Sequence, residues 1–460
     1  MAARMTDPAI ARPIAVIILA AGKGTRMKSD LHKVLHPVAG RPMLLHLLGG
    51  FGELAPAATV VVVGDKRDQV EAALAGTGAV VAVQEPQLGT AHAALQGRDA
   101  LAGFDGLVLV CFGDCPMLTA ATVRRLCAPL DAGAMVAVLG FRPDDAGAYG
   151  RIIADADGRV RKMVEYKDAS DAERAVGLCN AGVIVAAAAD MWRLLAAVGN
   201  DNAQREYYLP DVATGAIAEG ARVAVIETGA AEVAGVNSRA ELAAAEAQWQ
   251  AFRREEAMAE GVSLKAPDTV WFSWDTVIGR DVTIEPNVFF GPGVTIADGA
   301  TIRGFSHIEG ATIASGCEVG PFARLRPGTV LEEKAKVGNF VEIKQAVLGK
   351  GAKANHLSYL GDASVGAGAN IGAGTITCNY DGYFKYRTEI GDRAFIGSNS
   401  ALVAPVKIGA DAIVGAGSAV TRDVGDGELR LVRGEQLIKP GWADRFHDTM
   451  RKKKAAEKKA

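Results

Sequence analysis

The sequence predicts an α/β chain built from two architectures. A doubly wound, Rossmann-like domain comes first, then a long linker helix, then a left-handed parallel β-helix of hexapeptide repeats. Three observations predict it. Short continuous apolar runs alternate with amphipathic segments through the first half. An Ala- and Glu-rich helical stretch follows at residues 238–261. A six-residue apolar period then takes over, and glycine, 54 of the 460 residues, concentrates after residue 279. A chain this long exceeds what a single hydrophobic core serves, so separate domains are expected at 13–237 and 262–440, with a basic tail at 441–460.

The runs "IAVIILA" (14–20), "ATVVVVG" (58–64), "AVVAVQ" (79–84) and "GLVLVCFGD" (106–114) lack the alternation of a half-exposed sheet and read as parallel strands covered on both faces. Amphipathic segments such as Asp68 to Leu74 lie between them, giving the rhythm of βαβ units. Sheets of this kind gather ligands beyond the carboxyl ends of their strands. In the linker, Ser238 followed by Glu241 forms a capping box and Gly261 is a stop, which predicts a helix roughly 33 Å long. Leu242, Trp249 and Phe252 are its expected apolar seat.

Beyond the linker, Ile278, Ile284, Phe290, Ile296, Ile302 and Ile308 stand six apart. After a one-residue slip so do Ile313, Val319, Leu325, Leu331, Val337 and Ile343, and later Ile390, Ile396, Leu402, Ile408, Val414 and Val420. Such a repeat denotes a β-helix whose inward residues stack at ~4.8 Å. The step from Thr377 to Ile390 is thirteen rather than six, so "CNYDGYFKYR" is expected as an extruded loop.

Bulk properties exclude several functions. A formal net charge of −3 gives no whole-chain case for nucleic-acid binding, and no apolar run reaches the ~18–20 residues of a membrane span. The opening "MAARMTDPAIARP" lacks the apolar core of a signal peptide. Six cysteines without C-x-x-C spacing read as buried, reduced thiols of a cytoplasmic protein. The terminal "RKKKAAEKKA" reads as a solvated segment without ordered structure.

Two clusters carry chemistry. The stretch "LAAGKGTRM" (19–27) leaves a buried strand and enters a glycine loop flanked by Lys23, Arg26 and, further on, Lys33. It lacks the closing G-K-[ST] of a Walker loop and the G-x-G-x-x-G of a dinucleotide fold. It reads either as a tight turn or as a phosphate cradle of backbone N–H groups and cations. Asp114, ending another apolar run, is either a turn residue or a hard-cation ligand, Mg²⁺ being the usual partner of phosphates. In the repeats, Arg326 and Lys344 lie eighteen apart and stack in three-hexad coils. Like charges so placed need a neighbouring carboxylate or a bound phosphate. One coil on, "GAKANHLSYLGD" interrupts the repeat with Asn355, His356 and Tyr359, and Asn370 follows. A histidine here is either structural or a general base, since imidazole titrates near neutral pH.

In order and spacing, "LAAGKGTRM", "KVL", "QEPQLGTAHA", "FGD", "YGRI", "E-x-KDA", "CNAG" and "GVN" resemble the nucleotidyltransferase half of a known family. It is the family of bifunctional N-acetylglucosamine-1-phosphate uridyltransferases and glucosamine-1-phosphate N-acetyltransferases. The likeness covers residues 14–440. It implies acetyl transfer from acetyl-CoA to glucosamine-1-phosphate in the C-terminal half. Uridylyl transfer from UTP to N-acetylglucosamine-1-phosphate, with release of pyrophosphate, follows in the N-terminal half. The product, UDP-N-acetylglucosamine, feeds peptidoglycan and lipopolysaccharide synthesis.

Residue by residue, the resemblance places the nucleotide on Leu19, Ala20, Ala21 and Gly22, with Phe112 and Gly113 nearby. It puts phosphate on Lys33, uracil on Gln84, Gly89 and Thr90, the sugar on Gly150, Glu165 and Asn180, and Mg²⁺ on Asp114 and Asn237. Arg26 and Lys33 would neutralise developing charge. A Gln amide, offering both donor and acceptor, suits the imide edge of uracil. His32 stands where the family carries proline. In the second half the resemblance gives the sugar phosphate to Arg326, Lys344, Tyr359 and Asn370. His356 would be the general base, oriented by Glu342. Ala373, Asn379, Tyr380, Ser398, Ala416 and Arg433 would take acetyl-CoA, with Lys385 on the loop that closes as a clasp. A homotrimer with acetyl-transfer sites between subunits is implied as well. The competing reading keeps only the nucleotidyltransferase and makes the β-helix an assembly or allosteric module. A scaffold without enzymatic activity would leave the glycine loop, Asp114 and Asn237 without a purpose.

Overall fold

In the computed structural model, which describes residues 10–457, the four apolar runs form the strands Ile14–Ala20, Ala58–Val63, Val80–Val83 and Leu107–Phe112. Ile14–Ala20 is buried along its whole length and pairs in parallel with Ala58–Val63 on one side and Leu107–Phe112 on the other. Its alternate residues serve two apolar clusters: Ala15 and Ile17 join one, Val16 and Ile18 the other. That division is why the run shows no polar alternation. The sheet order is Val223–Thr228, Val136–Phe141, Cys179–Ala187, Leu107–Phe112, Ile14–Ala20, Ala58–Val63, Val80–Val83. Cys179–Ala187 runs antiparallel to both its neighbours, so the sheet is mixed rather than wholly parallel.

The chain divides into two compact units. The first runs to Glu256 and also takes Phe272–Trp274; the second holds Ala257–Trp271 and the described residues from Asp275 on. The linker helix spans Arg239–Ala259. Ser238 Oγ accepts from the Glu241 N–H at 3.2 Å, while the Glu241 carboxylate accepts from the Asn237 N–H at 2.6 Å, one residue earlier than a capping box requires. Leu242, Ala245 and Trp249 pack with Val38, Met43 and Val236 in the first unit. Phe252 is no part of that seat and stays 60% exposed, on the helix face turned to water.

In the second unit short strands stack in parallel, eighteen residues apart where Thr283 pairs with Thr301, seventeen across the slip, where Thr295 pairs with Thr312, and eighteen again beyond it, where Glu318 pairs with Lys336. The inward residues from Ile284 to Val420 are buried, whereas Ile278, in the first coil, is only partly covered. Ile371 pairs with Ile396, twenty-five on, so the extra residues leave the stack as a loop between Cys378 and Thr388. Phe305, Phe322 and Phe340 turn one corner at φ 58°, 56° and 56° and stack outward with ring centroids 5.0 and 5.1 Å apart. Stacking of this kind offsets the strain of a bulky residue in the left-handed region.

All six cysteines are free, but Cys378, at the foot of the loop, is only partly buried because its strand ends there. The basic end, expected without ordered structure, forms a helix over Trp442–Glu457, consistent with its run of straight-chain residues. The leader up to residue 9 and the last three residues lie outside the described residues. Among the described residues no helix is long and apolar enough to cross a membrane.

Candidate active sites

Beyond the carboxyl ends of the first unit's strands lies a cavity of about 750 Å³. Leu19, Ala20, Ala21, Gly22 and Lys23 enter it from the end of Ile14–Ala20. Gly24 bends the loop at φ 57°, and a Cβ there would stand 2.7 Å from Lys33 Cβ, so the loop lies directly on the lysine. Lys33 Nζ makes a close ion pair with Asp114 and donates to Asn237 Oδ1 at 3.0 Å. The Asp114 carbonyl accepts from the Val236 N–H at 3.0 Å, which ties the two oxygen-bearing segments together. Two hard oxygen groups thus converge on one cation, at the place where the helix cap on Glu241 fixes Asn237.

His32, where the resemblance leads one to expect proline, lines the same cavity and is 2% exposed. Its N–H donates to Gln69 Oε1 at 2.8 Å and its Nδ1 accepts from the Val34 N–H at 3.4 Å. Burial holds this imidazole below its ordinary range, against the pull of Asp65. Hydrogen bonding therefore fixes the segment before Lys33 where a proline ring would have fixed it by geometry. Gln87, which the sequence did not single out, lines the cavity and braces the loop by donating to the Ala21 carbonyl at 2.6 Å.

Gln84, Gly89 and Thr90 line the side reached from Val80–Val83. The expectation that Gln84 offers both donor and acceptor needs correction. Its amide nitrogen is engaged inside the protein, 2.9 Å from the Gly89 carbonyl and 3.0 Å from His92 Nδ1, which leaves only the carbonyl oxygen for a ligand. Across the cavity stand Phe112, Gly150, Glu165 and Asn180. Asn180 Oδ1 accepts from the Gly182 N–H at 2.9 Å, at the register shift of Cys179–Ala187, so its NH₂ is what it can donate. Burial, with Asp211 and Asp168 nearby, raises the Glu165 carboxyl above the ordinary range. Two expected residues are not in the lining. Gly113 lies under the loop, donating to the Leu19 carbonyl at 3.0 Å. Arg26 is exposed in the turn Thr25–Met27, and Lys23 takes its place at the cavity wall.

The second cluster lies on the β-helix. Leu325 pairs with Ile343, which sets Arg326 beside Lys344 on adjacent coils. Lys385, on the extruded loop, approaches Lys344 and holds its ammonium below the ordinary range; Arg326 adds to this and Asp362 opposes it. Glu342 Oε1 accepts from Arg326 Nη1 at 2.8 Å. The carboxylate thus compensates the arginine and does not orient His356 within this chain. That orienting place belongs to Asn339, whose Oδ1 lies 2.8 Å from His356 Nδ1 across the pair Asn339–His356. An amide oxygen there calls for N–H on Nδ1 and leaves the Nε2 lone pair outward. Tyr359 pairs with Glu342, and its hydroxyl sits where a Cβ on Gly361 would be, 2.4 Å away. Asn370 pairs with Lys353, at the far end of the His356 strand.

Counting along the registers, Ala354 pairs with Ile371, Ile371 with Ile396 and Ile396 with Val414. His356, Ala373, Ser398 and Ala416 therefore form one column at a coil corner. Gly417, next in line, lies against Arg433, whose Cδ would be 3.7 Å from a Cβ there. Asn379 donates to Asp362 at the loop's foot, and Tyr380 is 60% exposed on the loop itself.

Residues 16–213 match the model of the MobA-like NTP transferase domain. Residues 275–310 match the bacterial transferase hexapeptide (six repeats), and residues 387–422 the hexapeptide repeat of succinyl-transferase. Fold, sites and matches define a nucleotidyltransferase domain joined to a hexapeptide-repeat transferase. Over 450 residues the chain is 73% identical to the bifunctional protein GlmU of Sphingopyxis alaskensis, covering 97% of this chain and 99% of that one. It is 68% identical to that of Novosphingobium aromaticivorans over the same shares. With the protein of the same name from Rhizorhabdus wittichii it shares 63% over 456 residues, 99% of this chain and 100% of the other. The chain belongs to the GlmU family of bifunctional transferases.

Proposed function

We propose that the second unit acetylates glucosamine-1-phosphate from acetyl-CoA and that the first unit joins the resulting N-acetylglucosamine-1-phosphate to UMP from UTP, releasing pyrophosphate. The observation that carries the bifunctional reading is His356 at the head of the column Ala373, Ser398, Ala416, with Arg433 beyond. Four coil steps at ~4.8 Å give about 19 Å of small-residue surface ending at a cation, which suits an extended thioester arm with a phosphate at its far end. An assembly module needs no such arrangement. Arg326, Lys344 and Lys385, gathered with too few carboxylates to balance them, hold the sugar phosphate. His356 Nε2 takes a proton from the glucosamine amine, and the amine attacks the thioester carbonyl, expelling CoA thiol. The test is thiol release from acetyl-CoA with glucosamine-1-phosphate and no UTP. Strong release is expected; none from folded protein would make the β-helix an assembly module.

In the first unit, a phosphate monoester oxygen attacks the α-phosphorus of UTP. The nucleophile is already anionic at neutral pH, so the site needs no general base. Lys33 and Lys23 neutralise the polyphosphate and the glycine loop aligns it. Mg²⁺ fits: Asp114 and Asn237 already close on a cation, and an ion that keeps waters and substrate oxygens needs few protein ligands. Bound there, it would supply further charge neutralisation at the phosphates. Glu165 and Asn180 receive the sugar. Because burial raises the Glu165 pKa, its stabilising contribution is full below the ordinary carboxylate range and is lost as pH rises through the raised value. Glu165→Gln should therefore raise the first unit's melting temperature at pH 7 by ~2–4 °C, an advantage that fades on acidification, and should raise KM for N-acetylglucosamine-1-phosphate. Calorimetry across pH checks the first effect and kinetics the second.

The chain acts in the cytoplasm as a homotrimer on this reading. The outward Phe305, Phe322 and Phe340 ladder supports assembly, since apolar rings of this size are costly to leave in water. Light scattering of the intact protein is expected to give the mass of three chains.

A further inference from the structure

Gln84 follows Val80–Val83, is 4% exposed and lines the nucleotide cavity. Its amide nitrogen lies 2.9 Å from the Gly89 carbonyl, and that contact decides which end of the amide is nitrogen, because an oxygen there would face an oxygen. The second amide hydrogen meets His92 Nδ1 at 3.0 Å, which makes Nδ1 the bare nitrogen of the ring and puts its proton on Nε2. Gln96 Nε2 touches that Nε2 at 3.3 Å, the longer contact, and already donates to the His92 carbonyl at 3.0 Å, so the Gln84 contact sets the tautomer. His92 itself does not line the cavity. It stands behind Gln84 on the helix Thr90–Leu95, with its ring centroid 6.4 Å from that of Tyr207.

We infer that His92 is a positioning residue for nucleotide selectivity. By taking the second amide hydrogen of Gln84, it holds Gln84 Oε1 toward the base. A pure acceptor admits a pyrimidine whose N3 carries hydrogen, as uracil's does, and repels one whose N3 is a bare lone pair, as in cytosine. Turning the amide over to suit cytosine would set its oxygen against the Gly89 carbonyl and, as long as the ring keeps its proton on Nε2, against the bare His92 Nδ1. Without His92 only the Gly89 contact resists the turn, so discrimination weakens without vanishing. The inference rests on the proposed placement of uracil at Gln84.

The test compares kcat/KM for UTP and CTP in the parent, His92→Phe, His92→Asn and Gln84→Ala. Acetyl transfer by the second unit serves as the control for intact protein. Phenylalanine keeps the ring against Tyr207 but accepts nothing; asparagine restores an acceptor near the place of Nδ1. Loss of one neutral hydrogen bond should lower the UTP:CTP ratio about tenfold in His92→Phe, mainly through KM for UTP with kcat little changed. His92→Asn should recover most of it. If the phenylalanine variant does not fold, His92→Ala gives the same reading. An unchanged ratio in folded His92→Phe or His92→Ala, beside a collapsed ratio in Gln84→Ala, overturns the role of His92 alone. A ratio unchanged in Gln84→Ala as well overturns the placement of the base.

Discussion

Replacing His356 with alanine should lower acetyl transfer to glucosamine-1-phosphate by about 10³-fold and leave uridylyl transfer within about twofold. Removing a general base costs typically 10²–10⁴-fold, and here the attacking amine is a cation until it loses a proton. The side chain is exposed and, among the described residues, hydrogen-bonded only through Nδ1 to Asn339, so its loss opens no cavity in the stacked core. Stability should therefore be nearly unchanged. The partner residues separate two accounts of how the base is held. Asn339→Leu should cost about tenfold in kcat with KM little altered, because the ring loses its tautomer and direction. Glu342→Gln should act chiefly on KM for the sugar phosphate, since the carboxylate sits on Arg326. Steady-state kinetics of the three variants, with coenzyme thiol as readout, checks the set. A larger kcat loss in Glu342→Gln than in Asn339→Leu would return the orienting role to the carboxylate.

Asp114→Asn should be the mirror image. Uridylyl transfer should fall by about 10²–10³-fold, with a higher Mg²⁺ requirement, while acetyl transfer is retained. Among the described residues Asp114 is the sole carboxylate on Lys33, whose side chain is 15% exposed. An amide in its place removes both the charge that would hold a divalent cation and the charge that parks the lysine. Pyrophosphate release against Mg²⁺ concentration reads both effects. Equal loss of the two activities in folded protein would contradict the assignment of Asp114 to one site only.

Much of this was legible in the sequence, and particular residues show why. Ile14–Ala20 is buried end to end, so it could be read as a covered strand with its bounds intact. The hexad declares itself because every sixth side chain must enter a narrow core. The glycine loop, Asp114 and Asn237 were legible by motif, and the structure brings their side chains onto Lys33. What escaped depends on pairing at a distance. Asn339 and His356 meet because the coil between them holds seventeen residues, one fewer than the step from Arg324 to Glu342, a register visible only once the strands are stacked. A carboxylate was expected beside the imidazole, and the register instead gave Glu342 to Arg326. The engagement of Gln84 by Gly89 and His92 lies in a side-chain network that no spacing rule reports. Cys179–Ala187 was missed as a strand because its first residues carry Asn180 and Gly182 through a register shift before the apolar run begins. Arg26 was judged by proximity in sequence to the loop, but in its turn Met27 is the buried residue and the arginine is exposed.

The central claim is that one chain carries two independent chemistries, and mixing the two site variants tests it most directly. His356→Ala and Asp114→Asn would each be supplied with glucosamine-1-phosphate, acetyl-CoA, UTP and Mg²⁺, alone and then together. Neither alone should form UDP-N-acetylglucosamine at more than a trace. The mixture should form it steadily after a lag, as one variant releases N-acetylglucosamine-1-phosphate and the other consumes it. A mixture of folded variants that stays inactive would contradict two separable sites.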